Sequence, residues 1–146
     1  MPAIALPAST HRLFDNALHV TLVTIDADGS PQASMVWAQR DGDQVLIGIE
    51  SYHRKTRNLR RDPRVTLIVQ DDQKSERGLV QYLVIRGTAV LEGPDIPDEY
   101  NALMDVQSQR YLGKDYPFEN RGSRTALIAR VTPERITGEG PWGTGK

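Results

Sequence analysis

Between His19 and Glu50 the chain reads "HVTLVTIDADGSPQASMVWAQRDGDQVLIGIE", β-branched and apolar runs broken at Asp28-Gly29 and at Asp41-Gly42. A period of two puts alternate side chains on one face, and turns this short join only antiparallel neighbours, so the stretch predicts a meander of three strands. The runs "RVTLIVQDD" and "GLVQYLVIRGTAVLEG" continue the texture on either side of the polar "DQKSER", and "RTALIARVTPERITG" adds a last strand or two. Gly87, inside the longest run, predicts a bend or bulge that curves the sheet. A helix is expected in "STHRLFDNAL" with Ser9 as N-cap, and a second from near Pro97 that places Tyr100, Leu103, Met104, Gln107 and Tyr111 along one side. Six or seven strands with two or three helices make an α+β domain around a small barrel or strongly curled sheet. No repeat or linker divides residues 1–146, so one domain is expected.

Composition narrows the chemistry. The chain has no cysteine, which excludes disulfides, thiolate metal sites and a cysteine nucleophile. His11 and His19 fall in different elements without a partner at ligand spacing, so no metal site is expected, and neither a Ser-His-Asp order nor a carboxylate pair stands out. The opening "MPAIALPAST" is short, carries two prolines and lacks a basic start, and no apolar run nears the ~18 residues of a membrane span. A soluble cytoplasmic protein, without membrane contact, is the expectation. A net charge of −1 argues against a surface built for nucleic acid.

Against that neutral background, "SYHRKTRNLRRDPR" holds six of the chain's 18 Lys and Arg residues. Tyr52 to Arg61 contains no Gly or Pro, and Asp62 precedes Pro63, which disfavours helical geometry, so a helix of two to three turns is expected. Cations in a first helical turn oppose the dipole, yet Arg54 and Lys55 sit there. Free N–H groups, these two cations and the hydroxyl of Thr56 or Ser51 form the chemistry of a phosphate site. The same charges also suit a solvated face anchored by Leu59, and the later Arg57, Arg60, Arg61 and Arg64 complement the helix end.

The order "SPQASMVWAQ", "RDGD", "QVLIGIE", then "SYHRKTRNLRRDPRVTLIVQ" resembles the flavin- and deazaflavin-binding split β-barrel superfamily, which includes the pyridoxamine 5′-phosphate oxidases. "RKTRNLRRDPRV" is most similar to its coenzyme F420-dependent reductases. The resemblance covers about residues 11 to 92 and, more loosely, the tail. It implies a split β-barrel in which Arg54 and Lys55, with Thr56 and Asn58, hold the cofactor phosphate. It also implies that Met35, Val36 and Trp37, and the stretch Ile49, Glu50 and Ser51, run beside the tricyclic ring. The family is typically homodimeric with the cofactor between subunits, so Gln81 and Trp142 are expected to reach the site from the partner chain. From the residues alone, Met35 and Trp37 also read as core, and Trp142 as an indole tucked against the sheet.

The expected activity is hydride transfer from reduced F420 to a small unsaturated or aromatic molecule, with the cofactor carrying the chemistry and no catalytic side chain assigned. Arg57, Arg60 and Arg61 could meet the oligoglutamate tail of F420. FMN is the alternative cofactor, although Ser34 and Gln39 stand where pyridoxamine phosphate oxidases carry basic residues. A non-catalytic carrier of a flavin or tetrapyrrole is a further alternative. A nucleic-acid module lacks an aromatic stacking platform beside its single basic run.

Overall fold

The computed structural model describes residues 1–144; Gly145 and Lys146, the end of the glycine-rich tail, lie outside the described residues. Its strands are β1 (His19–Ile25), β2 (Pro31–Val36), β3 (Gln39–Asp41), β4 (Gln44–Glu50), β5 (Arg64–Lys74), β6 (Val80–Glu92), β7 (Ala126–Gly140) and β8 (Gly143–Thr144). The helices are a 3-10 helix, Ala8–Phe14, and two α-helices, α1 (Arg54–Arg61) and α2 (Pro97–Leu112). All ladders are antiparallel, in the order β2-β1-β5-β6-β7-β4-β3, with β8 beside β7.

This order explains the curl. β2 and β3 form opposite edges of the sheet, yet only Trp37 and Ala38 separate them in sequence. Two intervening residues make three Cα-to-Cα steps, at most ~11 Å, so the sheet must bend round until its edges approach. No ladder joins β2 to β3 among the described residues, which leaves the barrel split. The single strand expected over Pro31 to Arg40 is therefore two, because the chain leaves one edge and enters the other. Arg110 of α2 pins this crossover by donating to the carbonyls of Ala38 and Phe14.

Gly87 does sit at an irregularity: the β6–β7 register shifts between Arg86 and Gly87. A Cβ there would lie 2.0 Å from the Thr132 carbonyl oxygen, so only glycine lets the two backbones meet. At the first helix, the N-cap position belongs to Pro7 rather than Ser9, and Thr10 Oγ1 closes the turn onto the Pro7 carbonyl.

β4 shows how alternation positions the site. Val45, Ile47 and Ile49 point into the barrel core beside Leu22, Leu67 and Leu83, whereas Leu46 packs on the opposite face against Leu103 of α2. Gly48 lies on that second face, and a Cβ there would come 2.5 Å from Met104 Sδ. The missing side chain brings α2 close to the sheet and leaves room beside it.

Candidate functional site

Helix α1 begins where β4 ends, and buried hydrogen bonds fix its start. The Glu50 carbonyl accepts from Thr56 Oγ1 at 2.6 Å and from the His53 N–H at 3.1 Å, while the Glu50 N–H donates to His53 Nδ1 at 3.1 Å. Thr56 is fully buried, so its hydroxyl ties the helix to β4. Asp62 adopts extended geometry ahead of Pro63 and closes the helix with a bond to the Asn58 carbonyl.

One side of α1 is sealed against the β1–β2 hairpin. Arg54 forms a two-point pair with Asp26, at 2.9 and 2.6 Å. Asn58, also buried, donates to Asp26 Oδ1 at 2.9 Å and to Thr24 Oγ1 at 3.0 Å. Hydrogen bonds from Asn58 and then Arg54 hold the Asp26 carboxyl below the usual range. Arg61 donates to the Ile25 carbonyl and to Asn58 Oδ1. The first-turn arginine thus faces an anion supplied by the protein itself, with its side chain still 62% exposed.

Lys55 differs. It is half-buried and makes no hydrogen bond or ion pair among the described residues, and desolvation lowers its pKa from 10.5. Burial, then the nearby Lys55 charge, also lowers the pKa of His53. The Lys55 side chain lines a cleft of about 420 Å³. Leu18, His19 and Val20 form one wall, with Met35, Val36 and Trp37 beside them; Gly48 faces Met104, Gln107 and Tyr111 of α2, and Tyr116 and Phe118 come from the following loop. Trp37 stacks on Tyr111 with centroids 5.2 Å apart and planes at 6°, and Tyr116 meets Trp37 edge-on at 6.2 Å. One cation thus borders a mainly apolar and aromatic space, which suits a planar heterocycle bearing an anionic arm.

Behind the cleft lies a buried polar network. Burial raises the Glu50 pKa, but hydrogen bonds from Asn120 Nδ2 and Thr125 Oγ1, each 2.8 Å, outweigh it and leave the carboxyl below its ordinary value. Asn120 also accepts from the Tyr116 hydroxyl at 2.5 Å and donates to Tyr100, whose pKa is raised mainly by burial. The network anchors the loop that carries Tyr116 and Phe118. On α2, Gln107 has no exposed surface; its Nε2 donates to the Leu46 carbonyl at 3.3 Å and its Oε1 has no partner.

Of the residues expected at the site, the structure brings Met35, Val36, Trp37 and Lys55 together around the cleft. Arg54, Thr56 and Asn58 instead tie the helix to the β1–β2 hairpin and to the end of β4. Ile49 is a core residue at 1% exposure, both main-chain groups of Glu50 are occupied, and the Ser51 N–H donates to Thr125. Gln81 donates to Asp71, itself paired with Arg12, and Trp142 is buried in the barrel core and donates to the Tyr82 carbonyl; neither lines this chain's cleft. Sequence reasoning placed Met104, Gln107 and Tyr111 on one helix face but did not connect that face with the site. The polar Gln107 within it was the available signal. Tyr116 and Phe118, in irregular chain, gave none.

A family model described as pyridoxamine 5′-phosphate oxidase matches residues 7–139. Among solved structures, an F420 reductase aligns with TM-score 0.72 at 23% identity, covering 90% of this chain and 98% of that one. A putative pyridoxamine 5′-phosphate oxidase from Listeria innocua aligns with TM-score 0.61 at 21% identity, covering 86% and 90%. The haem storage protein HutZ from Vibrio cholerae aligns with TM-score 0.66 at 18% identity, covering 96% and 98%. At these identities the structural likeness shows the shared α+β split-barrel fold. No helix among the described residues is long and apolar enough to cross a membrane.

Proposed function

The chain belongs to the pyridoxamine 5′-phosphate oxidase family, and from that premise we propose that it is an F420-dependent reductase acting on a small unsaturated or aromatic molecule. The observation that carries this reading is Lys55, a half-buried ammonium without a partner among the described residues on the wall of an aromatic cleft. When bound, the deazaflavin supplies hydride. Lys55 holds its phosphodiester, Met35 to Trp37 and Tyr111 border the ring, and α2 with the Tyr116–Phe118 loop keeps water from it.

Charge favours F420 over FMN. A phosphodiester carries one negative charge, matched by one lysine, whereas a terminal phosphate monoester carries about −1.5 to −2 at neutral pH. Arg57 and Arg60 are exposed along the same helix, available to the carboxylates of an oligoglutamate tail. The same reading has the protein working in the cytoplasm as a homodimer with the cofactor between subunits. Met35, 60% exposed on edge strand β2 beside the cleft, supports such an interface. A tetrapyrrole carrier is the second reading, favoured by His19 on the cleft wall, since an imidazole can ligate haem iron.

Fluorescence titration with oxidised F420, FMN and haemin separates these readings, with Trp37 as the internal reporter. Micromolar or tighter F420 binding, with FMN at least tenfold weaker, is the expected result. Tighter FMN binding would replace the deazaflavin reading, haemin binding abolished by His19→Ala would favour the carrier, and no binding of any of the three would end the cofactor reading.

A further inference from the structure

His53 is fixed to the backbone in a way that admits one state of its ring. Just beyond β4, Ser51 donates its N–H to the Thr125 carbonyl ahead of β7, so alternation turns both main-chain groups of Glu50 toward the opposite edge. β3 covers that edge only as far as Leu46, and the start of α1 takes its place. Thr56 Oγ1 and the His53 N–H serve the Glu50 carbonyl, and His53 Nδ1 serves the Glu50 N–H. A backbone N–H can only donate, so Nδ1 must be the acceptor and the ring's proton must lie on Nε2. An imidazolium carries N–H on both nitrogens and would set donor against donor at this point. The groups that face the ring are Glu50 from the end of β4, Lys55 from α1, and the Tyr52 ring, which meets it edge-on with centroids 5.1 Å apart. Burial and then the Lys55 charge, against the weaker pull of Glu50, favour the neutral form.

We propose that His53 is a positioning residue for Lys55, holding the corner between β4 and α1 only while its imidazole is neutral. Lys55 follows two residues later in the first helical turn, so the same corner sets where its ammonium stands on the cleft wall. A proton taken from solvent at Nδ1 breaks the bond to Glu50 and adds a second positive charge beside Lys55. The consequence for binding rests on the cofactor reading above; the state of the ring does not.

The test compares the full-length wild type with His53→Asn and His53→Leu. Asn Oδ1 stands as many bonds from the backbone as Nδ1 and accepts without titrating, whereas Leu cannot accept. At pH 7.5, His53→Leu should bind oxidised F420 about fivefold more weakly than the wild type, and His53→Asn should match the wild type within about twofold. Between pH 7.5 and pH 5 the wild type should lose about fivefold relative to His53→Asn and come to match His53→Leu. The folded chain holds this proton more weakly than the unfolded one. The melting temperature of the wild type relative to His53→Asn should therefore also fall as pH drops from 6.5 through the lowered value. Imidazole nitrogen shifts should report the Nε2–H form at neutral pH, and the Glu50 amide signal should move with the His53 midpoint. A ring protonated on Nδ1 at pH 7.5, or the same acid loss in the wild type and His53→Asn, would overturn the proposal. If the wild type does not bind the cofactor, the cofactor reading falls, while the ring and amide signals and the melting difference still support or overturn the role of His53 at the corner. Should a variant not fold, those two signals in the wild type decide it alone.

Discussion

Arg54 and Lys55 follow one another in the first turn of α1, but one side of that helix is closed and the other open. On the closed side, Arg54 and Asn58 converge on Asp26, and Arg61 caps the arrangement at the end of β1. On the open side, Lys55 stands beside the aromatic cleft with no counter-charge among the described residues. A run of positive charge is thus two devices: one fastens the helix to the barrel, and the other leaves a cation where a ligand can reach it. The same dipole argument applies to both residues, and the surrounding fold decides which needs an external anion.

The largest effect should come from the open side. Lys55→Ala is expected to weaken cofactor binding more than tenfold, the scale of a lost charge-assisted contact of about 1.5–3 kcal/mol. It should melt no lower than wild type, because it removes a desolvated ammonium that the free protein leaves uncompensated. Parallel titration and thermal melting check both halves, and a clear drop in melting temperature would make Lys55 a structural residue. The closed side should behave in the opposite way. Asn58→Ala should cost about 1–3 kcal/mol of stability, because it strips a donor from buried Thr24. Denaturant unfolding would show this, with cofactor affinity changed less than threefold once the variant is folded.

A third distinction lies in pH. With its pKa lowered, Lys55 binds its proton more weakly in the folded chain than in the unfolded one, so the stability of the free protein should rise as pH increases from the lowered value toward 10.5. Cofactor affinity should fall over the same window, since the anion requires the charged form. Unfolding and binding measured from pH 7 upward should move in opposite directions, and in Lys55→Ala this opposition should vanish. The smallest effect belongs to the exposed Arg57 and Arg60. Changing either to Gln should leave FMN affinity within about twofold and weaken F420 modestly in a salt-dependent manner, because exposed charges act through high dielectric.

Much of the fold was legible because a strand's period of two is a local property. The β1–β2 and β3–β4 hairpins, the Gly87 irregularity and the face of α2 all follow from neighbouring residues. The break at Trp37-Ala38 was not, since β texture runs unbroken through Pro31 to Arg40 and only the curl of the whole sheet requires the crossing. At the site, Lys55 could be found from its place in a helix's first turn. The pairing of Arg54 with Asp26 could not, because the two lie 28 positions apart and meet only when α1 packs on β1. Asn58 and Thr56 were drawn to the same phosphate by proximity in sequence, whereas their side chains point to partners inside the protein. Tyr116 and Phe118 belong to a loop without periodicity, which long-range bonds through Asn120 and Glu50 and from the Tyr116 N–H to Asp105 bring to the cleft.

The most direct test of the asymmetry across α1 is the dissociation constant of oxidised F420 for the wild type, Arg54→Ala and Lys55→Ala, measured side by side at one salt concentration. The predicted result is a loss of more than tenfold for Lys55→Ala and less than threefold for Arg54→Ala, with Arg54→Ala the less stable of the two variants. Equal losses of affinity, or the larger loss at Arg54, would contradict the division of the helix into a closed and an open side.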